Sequence, residues 1–138
     1  MIILNIVINI MKKIKYHIEH IQTPRYCYFN AISDDTNERI GKLCIDLNSE
    51  DSLRYTIYNK KVAKIILVHT NSSVCGNGIA TSLLNKAINK FNDYCLYLSV
   101  IPLRSDYKDK DKLGLINFYS KFGFKKDKDI CITTMIRN

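Results

Sequence analysis

The residues best placed to do chemistry lie in the turn Cys75-Gly76-Asn77-Gly78. This turn follows a segment rich in β-branched residues and precedes a segment with helical periodicity. The first four backbone N–H groups of a helix lack intrahelical partners, and the helix dipole adds about half a positive charge there. Main chain alone can therefore bind a pyrophosphate at this turn, because the glycines and the small Ala80 allow close approach.

Two other phosphate-binding folds fit the turn less well. A dinucleotide-binding turn needs a third glycine where Thr81 stands, and an acidic residue near the end of the next strand, where Ile101 and Pro102 stand. A P-loop needs a Gly-Lys-Ser/Thr ending, which is missing here. A lone G-x-G is a weak signal, so an ordinary strand-to-helix turn stays open beside the phosphate-binding interpretation.

Composition predicts one domain over residues 1–138, since the chain has 138 residues, of which 46% are hydrophobic. The net charge of +8 favours anionic partners such as a phosphorylated ligand. No block of five or six like charges occurs, which disfavours a nucleic-acid-binding arm. A homodimer is compatible with this composition.

The five cysteines and the amino terminus bear on the compartment. No C-x-x-C pair occurs and the number is odd, which predicts neither a disulfide framework nor a zinc site and favours a reducing, cytoplasmic location. The apolar residues 1–10 are interrupted by Asn5 and Asn9, and about ten residues cannot span a bilayer that needs about twenty. We expect an amino-terminal extension or edge strand here, with no membrane span.

The periodicity of the apolar residues predicts the strands and helices that hold this turn in place. Alternation around Ile14–Ile18 and Leu43–Leu47 predicts strands joined as antiparallel hairpins, although the stretch Met11–Ile21 also fits a short helix. The run Val62–Val68 is apolar on both faces, which predicts a central strand with helices on each side.

The second half of the chain alternates helices and strands. A helix is predicted from Ile79 to Phe91, a strand from Tyr94 to Pro102, a second helix from an Asp111 cap to Gly123, and a last strand near the carboxyl terminus. A strand, a helix and a strand in so short a space form a right-handed crossover with parallel strands.

Two motifs in this order resemble those of the GNAT superfamily of N-acetyltransferases. The first family motif is Gln or Arg, two residues, Gly, one residue, then Gly or Ala, which corresponds to Cys75, Gly78 and Ala80. The second ends a helix, and its matching residues here are Phe118, Tyr119, Lys121, Gly123 and Phe124. With the intervening strands, the motifs span Val62–Phe124.

The resemblance implies a GNAT-like α/β (α+β) fold, in which a mixed, mostly antiparallel twisted sheet is flanked by helices. It also implies acetyl-CoA as acyl donor, a primary amine of a protein or small molecule as acceptor, and direct attack in a ternary complex. The residues implied to bind the coenzyme are Leu67, Val68, Cys75, Gly76, Asn77, Gly78, Ile79, Ala80, Thr81 and Lys112. Tyr119 is the expected acid for the departing thiolate, and His69 is a candidate base.

The chain departs from the family pattern at three places. Cys75 replaces the Gln or Arg that would assist the phosphates, and Lys112 stands where many relatives have an asparagine facing the pantetheine arm. The usual first two helices have no room, because the gap Gln22–Arg25 is all that separates the first two strands. These departures raise an alternative function: a GNAT-like module without turnover that binds a macromolecular partner through its basic surface.

Overall fold

The computed structural model describes residues 14–49, 60–100, 109–127 and 134–138. The expectations for residues 1–10 and for Ile101 and Pro102 lie outside these ranges. Within them the chain forms seven strands and two helices: β1 (Tyr16–Gln22), β2 (Tyr26–Ser33), β3 (Arg39–Asp46), β4 (Lys61–Thr70), α1 (Ile79–Lys90), β5 (Tyr94–Ser99), α2 (Asp109–Ser120), β6 (Lys125–Lys126) and β7 (Thr134–Arg137).

The strands form one sheet in the order β1-β2-β3-β4-β5-β7-β6. Only the pair β4–β5 is parallel, and α1 makes the crossover between its strands. The other pairs are antiparallel. The predicted mixed, mostly antiparallel fold is therefore confirmed.

The connection between β1 and β2 is a tight turn. Thr23 donates its N–H to the Tyr26 carbonyl over 2.8 Å, and the Thr23 hydroxyl accepts the Tyr26 N–H over 2.9 Å. Polar side chains that bond to nearby backbone favour such turns. Because β1 leads straight into β2, no helix stands between them, as predicted, and residues 16–22 are strand rather than helix.

The main core lies between α1, α2 and one face of the sheet. Ile79, Leu83 and Ala87 of α1 are buried there with sheet residues such as Leu43. Ile116 and Tyr119 of α2 join the same cluster. Both described helices thus cover one face, which we call the helix face, whereas the run Val62–Val68 had suggested helices on each side of its strand.

The other face of the sheet, the open face, carries a smaller buried cluster. Cys95 and Tyr97 of β5 pack there with Val62 and Ile136. The apolar residues of the run Val62–Val68 therefore divide between two clusters, because alternate side chains of a strand point to opposite faces. Periodicity alone does not show whether helices cover both faces.

Three smaller findings complete the fold. α2 begins at Asp109, two residues before the expected cap at Asp111, because the run Asp109-Lys110-Asp111 offers more than one start. Cys27, Cys44, Cys75 and Cys95 are free thiols, and burial raises the pKa of Cys27 to about 11. In the described parts of the chain, no helix is long and apolar enough to cross a bilayer.

Candidate functional site

The strand β4 extends beyond its parallel pairing with β5. Its parallel ladder with β5 ends at the pair Ile65 and Leu98. The register with β3 slips at the same place, because Cys44 lies opposite Leu67 whereas Ile45 lies opposite Ile65. Ile66, with 45% of its surface exposed, is left over as a β-bulge, which bends the strand and increases its twist. Among the described residues, 67–70 therefore pair with β3 alone, and β5 ends at Ser99, one residue beyond its last pair with β4.

The predicted residues of β4 all lie in the segment beyond its ladder with β5. Val68 packs against the main core on the helix face. Leu67 lies opposite Cys44, and His69 lies opposite Lys42, so both side chains project to the open face. His69 is exposed. This segment of β4 thus carries Val68 on one face of the sheet and His69 on the other.

The turn after β4 supplies an uncapped helix start. A short 3₁₀ turn covers Ser72–Val74, and α1 then begins with Gly78 at its N-cap. Gly76 has φ 86° and Gly78 has φ 73°, the left-handed region that glycine enters without steric cost. No side chain caps this helix end and no acidic residue stands in its first turn. The positive end of the helix dipole is therefore not compensated locally.

The backbone amides of residues 76–81 form what we call the amide cradle. On either side of them, Val74 donates its N–H to the Asn71 carbonyl over 3.0 Å and Ser82 donates to the Gly78 carbonyl over 3.0 Å. Within the described ranges, no acceptor bonds the amides of residues 76–81. In the described parts of the chain, a Cβ added at Gly76 or Gly78 would meet nothing within 4 Å.

The side chains of the turn fold back onto the loop. Asn77 donates its Nδ2 to the Val74 carbonyl over 2.9 Å, and the Cys75 thiol lies 3.5 Å from the Asn71 carbonyl. Both contacts stabilise the loop. Gly76 and Gly78 carry no side chain and are exposed, so their main chain is accessible to an anion.

The sequence of this chain matches a known protein family. The sequence pattern of the Acetyltransferase (GNAT) family matches residues 9–124, which is most of the chain. The chain belongs to the GNAT family. The resemblance carried by the two motifs is thereby confirmed. Among curated proteins no match is found.

Solved structures share the GNAT fold at low sequence identity. The PaiA N-acetyltransferase from Thermoplasma acidophilum, in complex with coenzyme A, has 19% identity and a TM-score of 0.52, over 81% of this chain and 58% of its own. An acetyltransferase from Thermus thermophilus has 20% identity and a TM-score of 0.57, over 83% and 64%. An acyl-CoA N-acyltransferase from Klebsiella pneumoniae has 14% identity and a TM-score of 0.59, over 88% and 96%. This GNAT chain therefore spans less than two thirds of the first two relatives.

The second GNAT motif forms the carboxyl end of α2. Gly123, with φ 90°, donates its N–H to the Ser120 carbonyl over 3.1 Å, and Phe124 donates to the Tyr119 carbonyl over 3.4 Å. These two bonds define a Schellman motif, in which a residue in the left-handed conformation ends the helix. The reversal packs the ring of Phe124 against that of Tyr119, with centroids 6.0 Å apart. The Gly-Phe pair of the motif thus fixes the Tyr119 side chain.

Tyr119 is held in an apolar setting. Its exposed fraction is 8%, and the Phe118 ring lies 5.3 Å from its own, centroid to centroid. Burial raises the pKa of its hydroxyl above the ordinary value. Tyr119 shares its core cluster with Ile79, and Val68 packs against that cluster. The half-buried Lys112 lies two turns earlier in α2, on the same side of the helix as Tyr119.

Sequence reasoning missed two contributors to the site. The Ile66 bulge has no signal of its own within the apolar run. Arg137 of β7 donates its Nε to the Phe122 carbonyl over 2.9 Å, and this cation supports the carboxyl end of α2. Nothing local in the sequence links Arg137 to that helix, because the two are joined by tertiary structure alone.

We expect Gly123→Ala to lower the free energy of unfolding by about 1 to 2 kcal/mol, because an alanine resists the left-handed conformation. The new Cβ would also lie 3.4 Å from the Arg137 Nε. Urea denaturation followed by circular dichroism measures this loss. Gly114→Ala is the matched control, since its Cβ meets nothing within 4 Å in α2 and helical alanine is favoured over glycine. Equal stability of Gly123→Ala and the native chain would contradict the capping role.

Proposed function

We propose that the chain is an N-acetyltransferase that moves an acetyl group from acetyl-CoA to a primary amine of a protein or small molecule. The observation that carries this proposal is the amide cradle, which follows the part of β4 that extends beyond its ladder with β5. In the proposal, the binding surface for a diphosphate and the main chain that an extended arm lies along follow one another in the sequence. The likeness to the Thermoplasma protein, whose structure contains coenzyme A, supports the proposal.

In this proposal the pyrophosphate of the donor accepts hydrogen bonds from the amide cradle. Such bonds are charge-assisted, and the uncompensated dipole of α1 adds to them. The pantetheine arm lies along the main chain of Leu67 and Val68, in a gap that we propose opens beside the end of β5. Lys112 is within the same helix as Tyr119 and supplies a cation for a phosphate oxygen, in place of the contact that Cys75 does not make.

The chemical step is a direct displacement at the thioester. The acceptor nitrogen, after losing a proton, attacks the acetyl carbonyl carbon, and a main-chain N–H of β4 beside the gap stabilises the negative oxygen of the tetrahedral intermediate. The C–S bond then breaks, and Tyr119 donates its phenolic proton to the departing sulfur. The second proton of the acceptor nitrogen leaves as the amide forms and passes through solvent to restore the Tyr119 phenol. The products are the amide and free coenzyme A, with no acyl group on the enzyme.

The acceptor enters from the open face in this proposal. Tyr119 lies in the core of the helix face, whereas His69 of β4 projects to the open face. In the proposal the gap beside β4 connects the two faces, so that a donor held on one side is attacked from the other. His69 is exposed, and we assign it the role of taking the proton of the incoming ammonium.

Two measurements test the proposal. Titration calorimetry with acetyl-CoA should show saturable binding, and acetyl-pantetheine, which lacks the pyrophosphate, should bind much more weakly. A thiol-release assay with a panel of small primary amines and lysine-containing peptides should then show release of coenzyme A that depends on the amine.

The outcomes separate two classes of function. Absence of acetyl-CoA binding by the folded chain would end the proposal. Binding without release for any amine, beyond slow hydrolysis, would favour the non-catalytic module that binds a partner through its basic surface. Equal affinity for acetyl-CoA and acetyl-pantetheine would show that the amide cradle does not bind the pyrophosphate.

A further inference from the structure

The first turn of α1 rests directly on the backbone of β3 at Gly41. A Cβ added at Gly41 would lie 2.7 Å from the Ile79 Cγ2, 3.3 Å from the Leu83 Cδ1 and 3.3 Å from the His69 carbonyl oxygen. Carbon atoms do not approach to 2.7 Å without repulsion, since their optimal separation is about 3.5 to 4.0 Å. A side chain at position 41 would therefore require Ile79, at the start of α1, to shift.

The same end of β3 also holds the beginning of the loop that leads into α1. Asn71 donates its N–H to the Ile40 carbonyl over 2.9 Å and its Nδ2 to the Arg39 carbonyl over 3.3 Å. The loop from Ser72 to Gly78 is thus attached to residues 39–41 at both of its ends. One end is fixed by hydrogen bonds and the other by contact between Ile79 and Gly41.

The position of Ile79 decides where the amide cradle lies. Ile79 is the first residue of α1 and follows Gly78 directly, and its own amide belongs to the cradle. In the proposed function, the cradle binds the diphosphate of the donor and the end of β4 binds the acyl arm of the same molecule. A displacement of the helix start would therefore misalign the diphosphate and the acyl group, and small misplacements are costly to binding and catalysis.

We propose that Gly41 is a positioning residue for the amide cradle: its missing side chain lets Ile79 seat against β3 and thereby sets the distance from the cradle to β4. The inference rests on the proposed binding of the coenzyme at this turn. Gly41 itself does not touch the donor, because its open position faces Ile79 and Leu83 in the core. Its φ is not positive, so alanine fits the backbone and the effect of substitution is steric.

The test is a double-mutant cycle at the contact. Gly41→Ala introduces the clash with the Ile79 Cγ2, and Ile79→Leu removes that methyl because leucine branches one carbon later. Dissociation constants for coenzyme A are measured by calorimetry for the native chain, both single variants and the double variant, well below their unfolding temperatures. Gly114→Ala is the control for a glycine-to-alanine change in open space.

We expect Gly41→Ala to bind coenzyme A about tenfold more weakly and the double variant to recover most of that loss. The amide chemical shifts of residues 76–81, measured by nuclear magnetic resonance without ligand, should move in Gly41→Ala and return in the double variant. A lower unfolding temperature with unchanged affinity and unchanged shifts would overturn the proposal, because Gly41 would then serve stability alone. A double variant no better than Gly41→Ala would overturn it as well.

These measurements also separate this inference from the proposed function. If the native chain does not bind coenzyme A, the proposed function is wrong, and the amide shifts still decide whether Gly41 positions residues 76–81. If the native chain binds and Gly41→Ala binds equally well, the proposed function stands and the role of Gly41 is wrong.

Discussion

Gly78→Asp is expected to weaken acetyl-CoA binding about 100-fold or more while the chain stays folded. The carboxylate at this helix start would accept hydrogen bonds from amides of the first turn and so compete with the pyrophosphate for them. It would also place a negative charge where the diphosphate binds. The first turn of α1 now carries no acidic residue. Aspartate and asparagine enter the left-handed region more readily than other side chains, so the φ of 73° is a modest obstacle to folding.

Gly78→Asn is the matched control, because asparagine has nearly the same size as aspartate and carries no charge. We expect it to retain more affinity than Gly78→Asp, and the difference measures the electrostatic part of the loss. Calorimetry with acetyl-CoA gives the dissociation constants, and circular dichroism shows that both variants fold. Native-like binding by Gly78→Asp would exclude the amide cradle as the phosphate site.

The sequence predicted the parts of this fold that depend on local rules. Gly78 followed by apolar residues at helical spacing predicted α1, and the crossover from Val62 to Tyr94 predicted the one parallel pair of strands. The left-handed Gly123 was predicted as the end of α2 from residue type, and the structure gives it φ 90°. Each prediction held because a short stretch of residues determines the conformation by itself.

The parts that escaped prediction depend on contacts between distant segments. The Ile66 bulge arises because β4 pairs with β3 in two registers, and nothing within β4 distinguishes Ile66 from Ile65. Both described helices lie on one face of the sheet, which depends on how the crossovers pack and not on the apolar pattern of β4. The close fit of Gly41 under Ile79 appears only once β3 and α1 are brought together.

In the turn of the candidate site, the type of a residue does not show what its side chain does. The sequence singled out Cys75 and Asn77 with the glycines, and the structure uses both of these side chains to hold the loop through the Asn71 and Val74 carbonyls. At Gly76 and Gly78, which are exposed and carry no side chain, a ligand would meet main chain, whereas the Cys75 thiol beside them is also exposed. Sequence motifs therefore identified the turn, whereas the atoms that a ligand would meet were visible only in three dimensions.

Tyr119→Phe is expected to lower kcat about 100-fold with little change in the affinity for acetyl-CoA, since general acid catalysis contributes roughly 100-fold or more. Removing the hydroxyl deletes the proton that the departing sulfur would receive. The ring remains, so its contacts with Phe118 and Phe124 are kept. In the part of the chain that the structure describes, the Tyr119 hydroxyl bonds to no other side chain, and its loss should leave the fold intact.

The pH dependence of kcat is a second test of Tyr119 as the acid. Because burial raises the pKa of Tyr119, the phenol stays protonated throughout the range in which ordinary tyrosines do, and kcat of the native enzyme should not fall on the alkaline side below about pH 10. Steady-state kinetics with the amine that gives release of coenzyme A measures both effects.

Tyr94→Phe is the matched control, because Tyr94 also packs against the core, with its ring 5.0 Å from that of Phe91, and it lies outside the candidate site. Equal turnover of Tyr119→Phe and Tyr94→Phe would show that Tyr119 is not the acid, and a native alkaline limb near pH 8 would assign proton transfer to another group.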